Sequence, residues 1–173
     1  MDKLRFLIVD DHPIIKQGLL VFLEQYPDIE MVGTAGDGIE GLEKLRQLDP
    51  DIILLDLAMP ELDGIEAIRL YLREKPQAGI VIFTGQKNDV YVYQALDAGA
   101  RGYVLKGNPV SQVVDAMREV QRGGFWLSPE LNRTVISSFL KHAARQPHPL
   151  DAFKSLSTRE QQVFRLLAKG KST

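Results

Sequence analysis

The 173-residue chain contains no cysteine and no long apolar run. The absence of cysteine excludes a disulfide-built scaffold and fits a reducing compartment. The longest apolar run, Leu19–Leu23, is far too short to span a bilayer. Asp10 and Asp11 follow the N-terminal apolar stretch, where a signal peptide would carry small residues for cleavage. These absences predict a soluble, cytoplasmic protein without a membrane partner.

Acidic and basic residues are unevenly divided along the chain. The formal net charge is -2, but residues 1–124 carry 20 acidic against 13 basic side chains, whereas residues 125–173 carry 3 against 8. An acidic body followed by a basic tail indicates two units with different partners. The alternative is that a short tail happens to be basic.

Short apolar runs alternate with segments of helical periodicity. Five runs are apolar throughout or rich in Ile and Val, as strands buried on both faces are. They comprise residues 6–9, 31–35, 52–55, 80–83 and 103–105. A segment with apolar residues three or four apart follows each run, and Gly123–Gly124 closes the fifth segment. Five βα units predict an α/β fold with a parallel sheet and helices on both faces.

The strand pattern stops after Gly124. Ser128 reads as an N-cap and Pro129 as the first residue of a helix that runs to about His142. Residues 146–149 read as a linker. A capping box at Ser157–Glu160 opens a last helix that Gly170 would end.

Five chemically capable residues stand at or just beyond predicted strand ends, and these residues are Asp10, Asp11, Asp56, Thr84 and Lys106. In a parallel sheet they converge on the crevice at the carboxyl ends of the strands. Three carboxylates repel one another and favour a cation, and an all-oxygen set favours Mg²⁺ or Mn²⁺. A hydroxyl and an ammonium facing that metal suit phosphoryl oxygens, while one carboxylate suits attack on phosphorus. Taken singly, Asp10 or Asp11 also reads as a helix cap.

Four segments carry a resemblance to the receiver domain of bacterial two-component response regulators, from residue 4 to about 122. They are Ile8–Asp11, Asp56–Pro60 with Asp63-Gly64, Thr84-Gly85 and Gly102–Lys106. Residues 156–170 resemble the opening of a LuxR-type helix-turn-helix domain, so the whole is similar to the NarL/FixJ subfamily. The resemblance implies a flavodoxin-like receiver at 1–124, a helical linker at 125–154 and a truncated DNA-binding domain at 155–173.

The resemblance also implies a metal-dependent phosphoacceptor. Asp56 would take a phosphoryl group from a sensor histidine kinase. Asp11, Asp56 and the backbone carbonyl of Ala58 would bind Mg²⁺ directly, and Asp10 would act through a water molecule. Lys106 would pair with the phosphoryl group.

The switch and the output are implied in the same way. Thr84 would move to the phosphoryl group, and Tyr103 would turn inward behind it. The protein would be a switch that catalyses only its own phosphorylation and dephosphorylation, and activation would produce a homodimer. DNA would be the partner of a full-length protein, whereas this chain would bind it without sequence specificity. Gly107 departs from the acidic residue common after the lysine.

Three rival interpretations remain open. Residues 36–41 match the dinucleotide fingerprint G-x-G-x-x-G after a strand, as in an NAD-binding Rossmann-type enzyme. A haloacid-dehalogenase-like phosphatase also uses an aspartyl nucleophile, but that family requires a second Asp at the position that Ala58 occupies here. A degenerate receiver would serve only as a binding module, and the presence of all five site residues argues against it.

Overall fold

A computed structural model describes residues 2–143 and 156–168. The strands in this range are β1 (Leu4–Val9), β2 (Ile29–Ala35), β3 (Ile52–Leu55), β4 (Gly79–Thr84), β5 (Gly102–Leu105) and β6 (Trp126–Leu127). The α-helices are α1 (Pro13–Leu23), α2 (Gly38–Leu48), α3 (Gly64–Glu74), α4 (Asp89–Ala98), α5 (Ser111–Gln121), α6 (Asn132–Ala143) and α7 (Thr158–Ala168). A 3-10 helix, Pro129–Leu131, precedes α6.

The strands form one parallel sheet in the order β2-β1-β3-β4-β5-β6. The chain moves outward from β1 to β2 and then returns to β3 on the other side of β1. This reversal leaves a crevice beyond the carboxyl ends of β1 and β3, where ligands bind in open α/β sheets. The five predicted strands and the flavodoxin-like topology are confirmed.

The sheet separates two apolar cores. Side chains alternate along each strand, so Leu7 and Val9 of β1 face one core while Phe6 and Ile8 face the other. The first core is completed by α2, α3 and α4, and the second by α1 and α5. The strand runs are continuously apolar because both faces are covered.

The prediction that no strand follows Gly124 is wrong. β6 pairs in parallel with the outer edge of β5, so the sheet has six strands. A two-residue strand is too short to show an alternating pattern, which is why the sequence does not reveal it. β6 also lies within the range 125–154 that was assigned to a helical linker.

The predicted helix caps have mixed outcomes. Asp37 caps α2 by accepting hydrogen bonds from the backbone N–H groups of Ile39 and Glu40, while the Glu40 carboxylate accepts from the N–H of Gly36. Ser128 precedes the 3-10 helix, but its side chain makes no capping hydrogen bond there, so that part of the prediction is wrong. The predicted helix up to about His142 is confirmed in α6.

The last described helix lies against α4 and α6. Ser157 and Glu160 form the predicted reciprocal capping box of α7. Arg159 donates to the backbone carbonyls of Gly99 and Ala100 beyond the C-terminal end of α4. Residues 156–168 are thus docked on the rest of the described chain.

Two of the sequence-based expectations concern residues that the structure does not describe. The linker at 146–149 and the helix stop at Gly170 lie outside the described residues. Among the residues that are described, no helix combines the length and apolarity needed to cross a membrane.

We expect Tyr71→Phe to lower the free energy of unfolding by about 1–2 kcal/mol, because a buried hydrogen bond to the Gly38 carbonyl is lost. The Tyr71 side chain is fully buried and its hydroxyl donates to that carbonyl over 2.8 Å. Burial raises the pKa of this phenol, so it stays protonated through the neutral range. Urea denaturation measures the change.

The matched control is Tyr91→Phe, since Tyr91 is 43% exposed and an exposed substitution changes stability by less than about 0.5 kcal/mol. Equal losses in the two variants would contradict a structural role for the Tyr71 hydroxyl.

Candidate functional site

Carboxylates gather where β1 and β3 end. The sheet ladder continues one residue past each strand, because Asp56 N–H donates to the Val9 carbonyl and Asp10 N–H to the Ala35 carbonyl. Asp10 and Asp56 are each only 2% exposed, whereas Asp11 faces the crevice mouth. One ligand atom each from Asp10, Asp11, His12 and Asp56 lies within 4.8 Å of the others.

Lys106 supplies the cation that two of these carboxylates share. Its Nζ lies 2.8 Å from Asp56 Oδ2 and 2.8 Å from Asp10 Oδ2. Burial opposes the charged form of Lys106, but the hydrogen bonds to Asp10 and Asp56 outweigh it and raise the pKa of the ammonium. The ammonium therefore remains charged throughout the physiological range.

The donor set fits a hard divalent cation. Asp10 Oδ2 is buried and pairs with the Lys106 ammonium over 2.8 Å. Three carboxylates outnumber the single lysine ammonium of the cluster, so negative charge remains uncompensated. Carboxylate oxygens are the ligands that Mg²⁺ prefers in proteins, with Mn²⁺ as the close substitute.

The loop after β3 is held close to the site by two contacts. The backbone N–H of Ala58 donates to Asp56 Oδ1 over 3.2 Å, which places the Ala58 peptide beside the Asp56 carboxylate. Gly64 opens α3 with its backbone packed on Leu57, where an added Cβ would come within 2.6 Å of the Leu57 Cα. Only glycine allows α3 to start this close to the site.

His12 belongs to the cluster and was missed by the sequence reasoning. Its Nδ1 lies 2.8 Å from Asp10 Oδ1 and 3.0 Å from Asp11 Oδ1. His12 also occupies the N-cap position of α1, where no side chain caps the helix. The interpretation of Asp10 or Asp11 as a cap of α1 therefore finds no support. The position of His12 between the paired aspartates and Pro13 was the available signal.

Thr84 and Tyr103 are connected through Gln86, which the sequence reasoning also missed. Thr84 is buried at the end of β4 and its hydroxyl accepts from the Gln86 N–H over 3.3 Å. Tyr103 is buried in the inward position, and its hydroxyl donates to the Gln86 carbonyl over 2.7 Å. Burial, followed by the charge of Asp56, raises the pKa of Tyr103.

The glycine motif at 36–41 does not form a dinucleotide site. Its glycines follow β2, the edge strand, and the Gly36 N–H is occupied by the Glu40 carboxylate. A Cβ on Gly41 would lie 2.2 Å from the Tyr71 hydroxyl, and Leu62 covers Gly38 in the same way. The motif lies beyond the edge strand and not at the crevice between β1 and β3, so the structure gives the NAD-binding interpretation no support.

This combination of a parallel sheet with acidic residues, threonine and lysine at its strand ends defines the class of response regulator receiver domains. The family model "Response regulator receiver domain" matches residues 6–118. The chain belongs to this family.

Relatives narrow the class further. The chain is 38% identical over 169 residues to the transcriptional regulatory protein LiaR of Bacillus subtilis, covering 98% of this chain and 78% of LiaR. A two-component response regulator of the LuxR family from Aurantimonas has a TM-score of 0.75 at 32% identity, with 80% of this chain and 99% of that chain covered. The structure of the RcsB–DNA complex has a TM-score of 0.72 at 28% identity, with 98% of this chain and 78% of the RcsB chain covered. The protein is thus a two-component response regulator.

We expect Asp11→Asn to lose most of the stabilisation that Mg²⁺ confers, since a neutral amide replaces a charged carboxylate of the cluster. Without divalent cations the variant should be at least as stable as the parent, because repulsion with Asp10 and Asp56 is relieved. A bound ion raises the free energy of unfolding by about 2.7 kcal/mol at 100 times its Kd. Urea denaturation with and without Mg²⁺ measures both effects.

Asp115→Asn is the matched control, because Asp115 is an exposed residue of α5. It should leave the Mg²⁺ effect unchanged. Full Mg²⁺ stabilisation of the Asp11→Asn variant would remove Asp11 from the ligand set.

Proposed function

We propose that Asp56 is the phosphoacceptor of this regulator and receives its phosphoryl group from the phosphohistidine of a sensor histidine kinase. The observation that carries the proposal is the placement of Asp56. It is buried at the crevice beyond β3, and Lys106 binds its Oδ2 over 2.8 Å. This arrangement supplies a carboxylate nucleophile with a fixed cation beside it.

Transfer forms one bond and breaks another. An Asp56 carboxylate oxygen attacks phosphorus, the new O–P bond forms, and the P–N bond to imidazole breaks with its electron pair leaving on nitrogen. The Lys106 ammonium, already on Asp56 Oδ2, pairs with the incoming phosphoryl oxygens. The Ala58 N–H fixes the orientation of the carboxylate through Oδ1.

Mg²⁺, or Mn²⁺ in its place, fits the acidic cluster. Asp11, Asp56 and the backbone carbonyl of Ala58 would hold the ion, with Asp10 acting through a water molecule. Bound there, the ion supplies positive charge that offsets the carboxylates and the transferred phosphoryl group. Support comes from the uncompensated charge of the cluster and from the buried Asp10 Oδ2.

Phosphorylation adds roughly -1.5 to -2 charges next to Thr84. The Thr84 hydroxyl would then leave the Gln86 N–H and donate to a phosphoryl oxygen. Because Tyr103 already lies inward and donates to the Gln86 carbonyl, the exchange would change the segment that Tyr103 contacts and would not need to bring Tyr103 in. The phosphoryl group would bias an existing equilibrium between two arrangements rather than create a new fold.

The output would be regulation of transcription in the cytoplasm, with homodimer formation on activation. RcsB, a structural relative, has been solved with DNA. Residues 155–173 would be the beginning of a LuxR-type helix-turn-helix domain, and the linker would run up to residue 154. The protein would act as a switch whose only reactions are phosphorylation and dephosphorylation of Asp56.

We expect Asp56→Asn to abolish phosphorylation, because an amide lacks the nucleophilic carboxylate. With Mg²⁺ and acetyl phosphate, the parent should gain one acid-labile phosphoryl group, and the variant should gain none. Intact-mass spectrometry measures the gain directly.

The control for this variant is again Asp115→Asn, which makes the same chemical change on the exposed face of α5 and should be labelled like the parent. Stoichiometric labelling of Asp56→Asn at another residue would rule out Asp56 as the sole acceptor.

A further inference from the structure

Ser128 stands one residue beyond β6 with its side chain directed at β5 instead of at the helix it precedes. The residue is completely buried. Its N–H donates to the Tyr103 carbonyl over 2.9 Å. Its hydroxyl accepts from the Leu105 N–H over 3.1 Å. Ser128 therefore binds β5 at two points, immediately before Lys106.

The hydrogen-bonding capacity of the Ser128 hydroxyl is fully used. Besides the Leu105 N–H, it accepts from Asn108 Nδ2 over 3.0 Å, and it donates to Gln112 Oε1 over 3.3 Å. A hydroxyl has two acceptor positions and one proton, so these three bonds satisfy it. Such a network in a buried place holds its members in one arrangement.

The bonds fall on both sides of Lys106. Leu105 precedes the lysine and Asn108 follows it by two residues, so the Ser128 hydroxyl holds each end of the turn that carries the ammonium. Lys106 N–H is itself bound to the Thr84 carbonyl over 2.9 Å. With the backbone fixed this way, the Lys106 side chain reaches Asp56 and Asp10 together.

We infer that Ser128 is a positioning residue for Lys106, acting from outside the strands that carry the reacting groups. The inference rests on the proposed function. Without the hydroxyl, the Leu105 N–H loses its acceptor and the Asn108 amide loses one of its three partners, so the turn is held by fewer hydrogen bonds. The Lys106 ammonium would then be held less firmly between the carboxylates.

This inference predicts two opposite changes in Ser128→Ala. Beryllofluoride, a phosphoryl mimic that needs the Lys106 ammonium, should bind about fivefold more weakly at saturating Mg²⁺, as expected from about 1 kcal/mol per hydrogen bond. Mg²⁺ alone should bind more tightly, because a loosely held ammonium competes less for the same carboxylates. Calorimetry measures Mg²⁺ binding, and ¹⁹F NMR measures bound beryllofluoride.

A double-mutant cycle that combines Ser128→Ala with Lys106→Ala tests whether Ser128 acts through the lysine. Lys106→Ala should itself tighten Mg²⁺ binding, and adding Ser128→Ala should then change nothing further. In a variant that still folds, weaker binding of both ligands in both backgrounds would show a general loosening of the structure and would overturn the inference. Ser111→Ala, on the exposed start of α5, is the matched control and should change neither ligand.

A second variant covers the case in which Ser128→Ala does not fold. Asn108→Ala removes one donor from the network and keeps the buried hydroxyl, so it should show the same opposite shifts at smaller size. If Ser128→Ala folds and its affinities for Mg²⁺ and beryllofluoride are unchanged, the inference is overturned and the proposed function is not. The same holds for unchanged affinities in Asn108→Ala where that variant replaces Ser128→Ala. Beryllofluoride binding that persists in Asp56→Asn, or that ignores Lys106→Ala, overturns the proposed function instead.

Discussion

One ammonium shared by two buried carboxylates holds the centre of this molecule together. Asp10 and Asp56 leave adjacent parallel strands and come so close that burial without a cation would be strongly unfavourable. Lys106 meets both over 2.8 Å from β5, two strands away from β3. The order of the strands, the covered faces of the sheet and the turn after β5 all serve to place these three groups.

The structure around this ion pair is organised in two chains of contacts that leave β5 in different directions. Tyr103 and Gln86 lead toward Thr84 and the loop before α4. Ser128 and Asn108 lead toward the short helix before α6. Both begin within three residues of Lys106.

Much of the fold and site could be predicted because parallel sheets impose a simple pattern. Continuous apolar strands are visible in a sequence, and topology brings residues such as Asp10, Asp56 and Lys106 to one edge. Contacts set by loop conformation are not visible, which is why His12 and Gln86 were missed. Ser128 shows the limit most clearly: serine before proline has the local signal of a cap, and only the tertiary partner decides where its hydroxyl goes.

The shortness of β6 has a further consequence for how the protein behaves at high concentration. The backbone groups of β5 would otherwise form an open edge able to pair with strands of other molecules and seed aggregation. β6 covers them from Gly102 to Tyr103, and the Ser128 hydroxyl occupies the next N–H, that of Leu105. Because β6 is only two residues long, it offers little edge of its own, and the chain then turns into a helix. The two-residue strand β6 thus protects the β5 edge of the sheet, next to Lys106, from pairing with other molecules.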